Sequence, residues 1–212
     1  MNLIIDRRRL LRACALAVAA LAATAAVVTY AATAITANTA VATPFPDTGI
    51  LQKWNKPIPA LALKDLQGTT RSLKEWRGKV LVVHFWATWC EPCVAEMPAL
   101  MRLKDELRNE PFEVVTVNLG EADTRIQNFY GKLGVDFVTL LDRDGDAKKK
   151  WKVGGVPMSF VVGADGRARY RHFGEIDWTS ADVLAKFSAL TREAKRYKKP
   201  EARPDAAQHN TG

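Results

Sequence analysis

Val80 to Trp86 reads Val-Leu-Val-Val-His-Phe-Trp, and after Ala87-Thr88-Trp89 comes Cys90-Glu91-Pro92-Cys93, where the periodicity changes. An almost unbroken apolar, β-branched run predicts a central strand buried on both faces, with His84 its one polar member. From residue 90 to about residue 109, Val94, Met97, Leu100, Met101, Lys104 and Leu107 recur at roughly helical spacing. A buried strand that passes through a short connection into a helix predicts an α/β fold and puts both cysteines on the first helical turn.

That position carries chemistry. Two residues between cysteines on one turn bring the sulfurs close enough to form and break a disulfide with little backbone movement. The free N–H groups and positive dipole end of the helix favour the thiolate of Cys90, the outer sulfur, as nucleophile. Cys93 lies deeper and would resolve the mixed disulfide. The same spacing occurs as half of a zinc site, but the other candidate ligands, Cys14, His84, His172 and His209, are scattered without ligand spacing. No cofactor or metal is expected.

At these residues the chain resembles the thioredoxin superfamily, and within it the membrane-anchored TlpA/ResA-like thiol-disulfide oxidoreductases. Phe85-Trp86-Ala87-Thr88-Trp89-Cys90-Glu91-Pro92-Cys93, followed by Glu96 and Pro98, is close to that group's motif, and Gly155-Val156-Pro157-Met158-Ser159-Phe160 looks like its cis-proline segment. The resemblance spans roughly residues 57–178. It implies a thioredoxin-like fold, a central mixed sheet flanked by helices, with an N-terminal hairpin and a central insertion. It also implies a redox-active Cys90–Cys93 disulfide faced by Pro157, where backbone groups beside a cis bond can pair with an extended substrate. An ordinary loop proline is the bland alternative.

Glu96 stands three residues after Cys93, on the same helix side. In the resembled family this glutamate lies near the disulfide and influences the thiol pKa values; a solvated helix carboxylate is the alternative. Trp89 is expected to shield the sulfurs and Trp86 to pack in the core. His84 departs from the relatives, which usually carry Asp in thioredoxins and commonly Asn in the TlpA/ResA group. Either it satisfies one buried hydrogen bond, or it accepts the Cys93 proton when that sulfur attacks. Burial should hold its pKa below the reference of about 6.5.

Ahead of the domain, Asp6-Arg7-Arg8-Arg9-Leu10-Leu11-Arg12 precedes an uncharged run rich in Ala, Val and Thr over residues 13–42. Residues 1–42 read as an export segment, long enough to span a bilayer yet only mildly hydrophobic. Ala40-Val41-Ala42 offers a cleavage site, and the arginines also resemble a twin-arginine signal. The resembled family is often tethered, so an uncleaved inner-membrane anchor with a periplasmic domain is favoured; cleavage would leave a periplasmic protein. Cys14, beside Arg12, reads as a passive membrane residue.

Residues 43–56 read as a linker, 57–198 as the domain and 199–212 as a disordered tail. Within the domain, strands are expected at 57–63, 112–118, 137–141, 158–162 and 167–173, and helices at 123–133 and 177–197. A capped helical turn is expected at 72–78. Residues 121–142 look like the family's central insertion and are where partner specificity is placed. Asp142-Arg143-Asp144-Gly145-Asp146 lacks the distal Glu and flanking helices of a calcium loop, and reads as a turn before a helix through Trp151.

Residues 43–212 carry 27 basic and 22 acidic side chains, the totals of 31 and 23 less four Arg and one Asp in residues 1–42. A net +5 without a basic cluster interleaved with base-stacking aromatics gives no nucleic-acid footprint. The resemblance points to reduction of oxidised protein substrates, first apocytochrome c during cytochrome c maturation, with electrons from a membrane thiol-disulfide donor. Reduction of copper-site cysteines in oxidase assembly is the alternative. A dithiol oxidase lacks support because Glu91-Pro92 has no histidine between the cysteines. A copper-binding assembly factor would space its cysteines one residue wider, and a peroxidase would need a Pro-x-x-x-Thr-x-x-Cys motif, absent here.

Overall fold

The structure is a computed structural model that describes residues 51–198. The expectations for residues 1–42, the first part of the linker, Cys14 and residues 199–212 lie outside the described residues.

In chain order the elements are β1 (Gln52–Lys53), β2 (Ala62–Lys64), β3 (Thr70–Ser72), a 3-10 turn (Leu73–Trp76), β4 (Val80–Trp86), α1 (Glu91–Glu106), β5 (Phe112–Asn118), α2 (Asp123–Leu133), β6 (Val138–Leu141), α3 (Asp146–Lys150), β7 (Met158–Val162), β8 (Ala168–Phe173) and α4 (Ala181–Arg196). The main sheet has the order β1-β8-β7-β4-β5-β6, with β2 and β3 forming a separate hairpin. Strand β4 pairs parallel with β5 and antiparallel with β7, so the sheet is mixed and β4 is central. All seven residues of β4 are buried, which is why its sequence shows no alternation.

Alternate β4 side chains divide the core in two. Val80, Val82 and Trp86 join one cluster with Cys93, Met97, Leu100 and Leu103 of α1, Ile126 of α2 and Phe187 of α4. Leu81, Val83 and Phe85 join the other, with Leu61 from the hairpin, Trp76 from the 3-10 turn and Trp151 after α3. As the sequence predicts, Trp86 packs in the core, stacked on Tyr130 at 5.4 Å between ring centroids.

Three expected boundaries move for local reasons. Residues 52–53, within the expected linker, pair with Arg171 and Tyr170 of β8. Their composition hides this because backbone groups make the pairing, with buried Leu51 on one side and Trp54, under the Arg171 guanidinium, on the other as apolar anchors. The strand expected from residue 57 begins only at Ala62, since Pro57 and Pro59 cannot donate to a ladder. Helix α4 begins at Ala181 because Asp177 holds a preceding turn, accepting from the Thr179 amide at 2.9 Å and its hydroxyl at 2.7 Å. Asp142 accepts from the Ala147 and Lys148 amides at 2.9 and 2.8 Å, so its carboxylate serves the start of α3. The Ser72–Glu75 capping box forms as the sequence implies.

Candidate active site

Cys90 is the N-cap of α1 and Cys93 lies in its first turn. The two are joined by a disulfide with S–S 2.08 Å and Cα–Cα 5.2 Å. Cys90 Sγ also accepts a hydrogen bond from the Cys93 amide at 3.3 Å, using one of the N–H groups that a helix start leaves unpaired. Cys90 is 5% exposed and Cys93 not at all, the order that the outer and inner roles require. Next to them in the chain, Trp89 is 65% exposed.

Register places the second motif at the same end of the sheet. Phe85 is opposite Met158, so Pro157 lies level with Trp86, close to where the chain leaves β4 for the cysteines. The Val156–Pro157 bond is cis, and Val156 packs against the cluster that contains both sulfurs. Pro157 itself is buried, its carbonyl accepting from the Gly174 amide at 2.9 Å, whereas Gly155 and Val156 are half-buried. The ring of Phe173, 65% exposed, leans on Gly155, where a Cβ would meet it at 3.0 Å.

Below the disulfide, Glu96 is buried in α1. Its Oε2 accepts from the Ile176 amide at 3.2 Å and from Trp178 Nε1 at 3.0 Å. Burial nevertheless dominates and pushes its pKa up to about 8; the two hydrogen bonds pull the other way and the nearby Glu175 charge adds to the rise. His84 Nε2 faces Glu96 Oε1 at 3.4 Å, and its Nδ1 is 2.9 Å from Ser159 Oγ. Burial pushes His84 down to about 3, the direction its strand position predicts. Of the residues singled out by sequence, the structure thus brings Cys90, Cys93, Glu96 and His84 to the face of the sheet under α1, and Pro157 to its end.

Sequence reasoning missed the groups that hold these in place. Glu121, before α2, accepts from the Thr88 hydroxyl, from the Thr88 amide at 2.7 Å and from Asn118 Nδ2 at 2.7 Å. It clamps the connection that carries Trp89 and Cys90. A carboxylate beside Asn118 at the end of a strand was the available signal, but residues 121–142 are read from sequence as a partner surface. Ser159 and Trp178 leave no trace in the sequence pattern as partners of His84 and Glu96, because strand register and a long-range contact make those pairs. Among the described residues, no group of three or more His, Cys, Asp or Glu side chains is placed to hold a metal ion, and no helix is long and apolar enough to cross a membrane.

A Redoxin family model matches residues 53–186. The thiol-disulfide oxidoreductase ResA of Geobacillus thermodenitrificans is 32% identical over 111 residues, which cover 52% of this chain and 64% of the relative, just under two thirds of its length. ResA of Bacillus thuringiensis is 31% identical over 120 residues, 57% of this chain and 69% of that one. A protein assigned as thiol:disulfide interchange protein DsbE from Chlorobium tepidum superposes with TM-score 0.60 at 26% identity, covering 66% of this chain and 99% of the other. StoA of Bacillus subtilis shares the fold, with TM-score 0.52 at 24% identity over 64% of this chain and 99% of its own.

Proposed function

The chain belongs to the Redoxin family and is a ResA-like member of the thioredoxin superfamily, and on that premise we propose that it reduces disulfides of partner proteins outside the cytoplasm through Cys90 and Cys93. The observation that carries the reading is the Cys90–Cys93 disulfide at the start of α1, with the outer sulfur the more exposed and the inner one buried near Glu96.

In the reduced protein, the Cys90 thiolate attacks one sulfur of a partner disulfide; a mixed disulfide forms and the first partner thiolate leaves. Cys93 then loses its proton and attacks Cys90 Sγ, which restores the Cys90–Cys93 bond and releases the second partner thiolate. Two electrons pass to the partner, and a dithiol donor at the membrane returns them. For the Cys93 proton, Glu96 at about 8 is far better matched to a thiol of about 8.5 than His84 at about 3. Glu96 is therefore assigned as the acceptor, and His84 as the residue that positions it. An extended partner segment would lie along residues 155–156, with Trp89 and Phe173 on either side; their exposure supports this docking.

The uncharged run of residues 13–42 behind four arginines supports an inner-membrane anchor and a periplasmic domain, or a periplasmic protein if it is cleaved. Resemblance to the TlpA/ResA group makes apocytochrome c the first substrate, its haem-binding cysteines needing reduction before haem attachment. Trapping with Cys93→Ser in cells tests this reading. Disulfide-linked apocytochrome c is the expected product; trapped copper-site proteins in its place would move the function to oxidase assembly.

A further inference from the structure

Beneath the disulfide, three buried side chains from three elements form a row in which Ser159 and His84 are hydrogen-bonded, while His84 Nε2 and Glu96 Oε1 face each other with no other hydrogen-bond partner. Ser159 of β7 and His84 of β4 are cross-strand partners, with Ser159 Oγ 2.9 Å from His84 Nδ1. On the other side of the ring, Nε2 faces Glu96 Oε1 of α1 at 3.4 Å. Oε2 of the same carboxyl is occupied by the Ile176 and Trp178 N–H groups. Ser159, His84 and Glu96 are 1%, 0% and 2% exposed, so each hydrogen in the row needs a partner inside the protein.

That requirement ties the imidazole to the carboxyl. When Glu96 is ionised, its free oxygen calls for a donor: Nε2 carries the imidazole hydrogen and Nδ1 accepts from the Ser159 hydroxyl. When Glu96 is protonated, its hydrogen has only Oε1 to sit on, because Oε2 receives two N–H groups. Oε1–H must then donate to a bare Nε2, which leaves the imidazole hydrogen on Nδ1, donating to Ser159 Oγ. A neutral imidazole has one donor and one acceptor nitrogen, so each carboxyl state selects one tautomer.

We propose that His84 and Ser159 are positioning residues forming a tautomer switch, in which the neutral imidazole exchanges its donor nitrogen each time Glu96 gains or loses a proton. With Glu96 ionised the row holds two hydrogens, on Ser159 Oγ and His84 Nε2; with Glu96 protonated it holds three, on Ser159 Oγ, His84 Nδ1 and Glu96 Oε1, so one proton is gained. Nothing is oxidised or reduced. The switch gives the carboxyl a partner on Oε1 in both states, and so lets a buried acid exchange protons with a thiol. This deepens the oxidoreductase reading and rests on it for its purpose.

The surrounding charges fit an imidazole that stays neutral throughout. The ionisable groups around the row are the Cys90–Cys93 pair on α1, His172 opposite Ser159 on β8, and Glu175 in the connection to α4. Glu175 adds to the upward push on Glu96. Burial holds His84 at about 3, well below the carboxyl's titration near 8.

The test is nuclear magnetic resonance of the full-length oxidised protein, labelled with nitrogen-15 in its histidine rings and carbon-13 in its glutamate carboxyls, from about pH 6 to about pH 10. The switch predicts His84 protonated on Nδ1 at the acid end and on Nε2 at the alkaline end, with one midpoint shared with the Glu96 carboxyl. In Glu96→Gln the tautomer should not change across this range. A single His84 tautomer while Glu96 titrates would overturn the proposal, as would an imidazolium in this range, or a Glu96 that does not titrate there. None of these readouts uses disulfide exchange, so failure of the switch and failure of the oxidoreductase reading show up separately.

Discussion

The stability of the oxidised protein should be nearly flat between pH 4.5 and 6.5 as far as its two buried titrating groups decide it, and should fall on either side. Glu96 is raised from 4.5 to about 8. Below 4.5 it is protonated in both states; above that the unfolded chain releases its proton first, and stability declines by about 1.4 kcal/mol per pH unit until the folded carboxyl ionises too. His84 is lowered from 6.5 to about 3. Above 6.5 it is neutral in both states; as pH falls the unfolded chain takes up the proton first, and stability declines at the same slope. In the overlap the two slopes cancel. What remains is a loss of roughly 2 kcal/mol from pH 6.5 to about 8, owed to Glu96, and a similar loss from 4.5 to about 3, owed to His84. Urea unfolding at half-unit pH steps measures both arms. Glu96→Gln should abolish the alkaline arm and extend the His84 decline over the whole interval from 6.5 to about 3, and His84→Asn should abolish the acid arm and extend the Glu96 decline over the whole interval from 4.5 to about 8, roughly 5 kcal/mol in each case. An alkaline arm that survives in Glu96→Gln would refute the assignment of that titration.

Alkylation of the reduced protein near neutral pH should label Cys90 before Cys93, as mass mapping of the modified peptides would show; the reverse order would exchange their roles. His84→Asn should slow resolution of a mixed disulfide while leaving Cys90 attack nearly unchanged, measured by rapid-quench of the two steps. Thr88→Val removes one of the bonds to Glu121 and should cost about 1 to 2 kcal/mol, read from urea unfolding. Glu121→Ala should speed hydrogen exchange at the Thr88 amide, since that amide loses its carboxylate acceptor.

The buried strand and the cysteine-bearing helix were legible in the residues, because each has its own local signature, an unbroken apolar run and a helix start. Cys90 and Cys93 were legible for the same reason; the cis-proline segment, Gly-Val-Pro before a strand, was legible only through the family resemblance. Less so was the sheet's outer edge, where Gln52 and Lys53 pair with β8 through the backbone ladder. The partners of the candidate site were not legible. Glu96 meets Trp178 across 82 residues and His84 meets Ser159 across 75, and no local pattern encodes either pair. Nor does a local pattern show that His84 lies beside Glu96, where burial pushes the histidine pKa down and the carboxyl pKa up.

The most direct test of the account is stoichiometric reduction of a peptide disulfide by the fully reduced protein under anaerobic conditions, followed by mass. One equivalent of protein should convert one equivalent of peptide to its dithiol while Cys90–Cys93 re-forms. Cys93→Ser should stop at a mixed disulfide through Cys90, and Cys90→Ser should do nothing. Reduction that persists in Cys90→Ser, or a reduced wild-type protein that leaves the peptide disulfide intact, would contradict it.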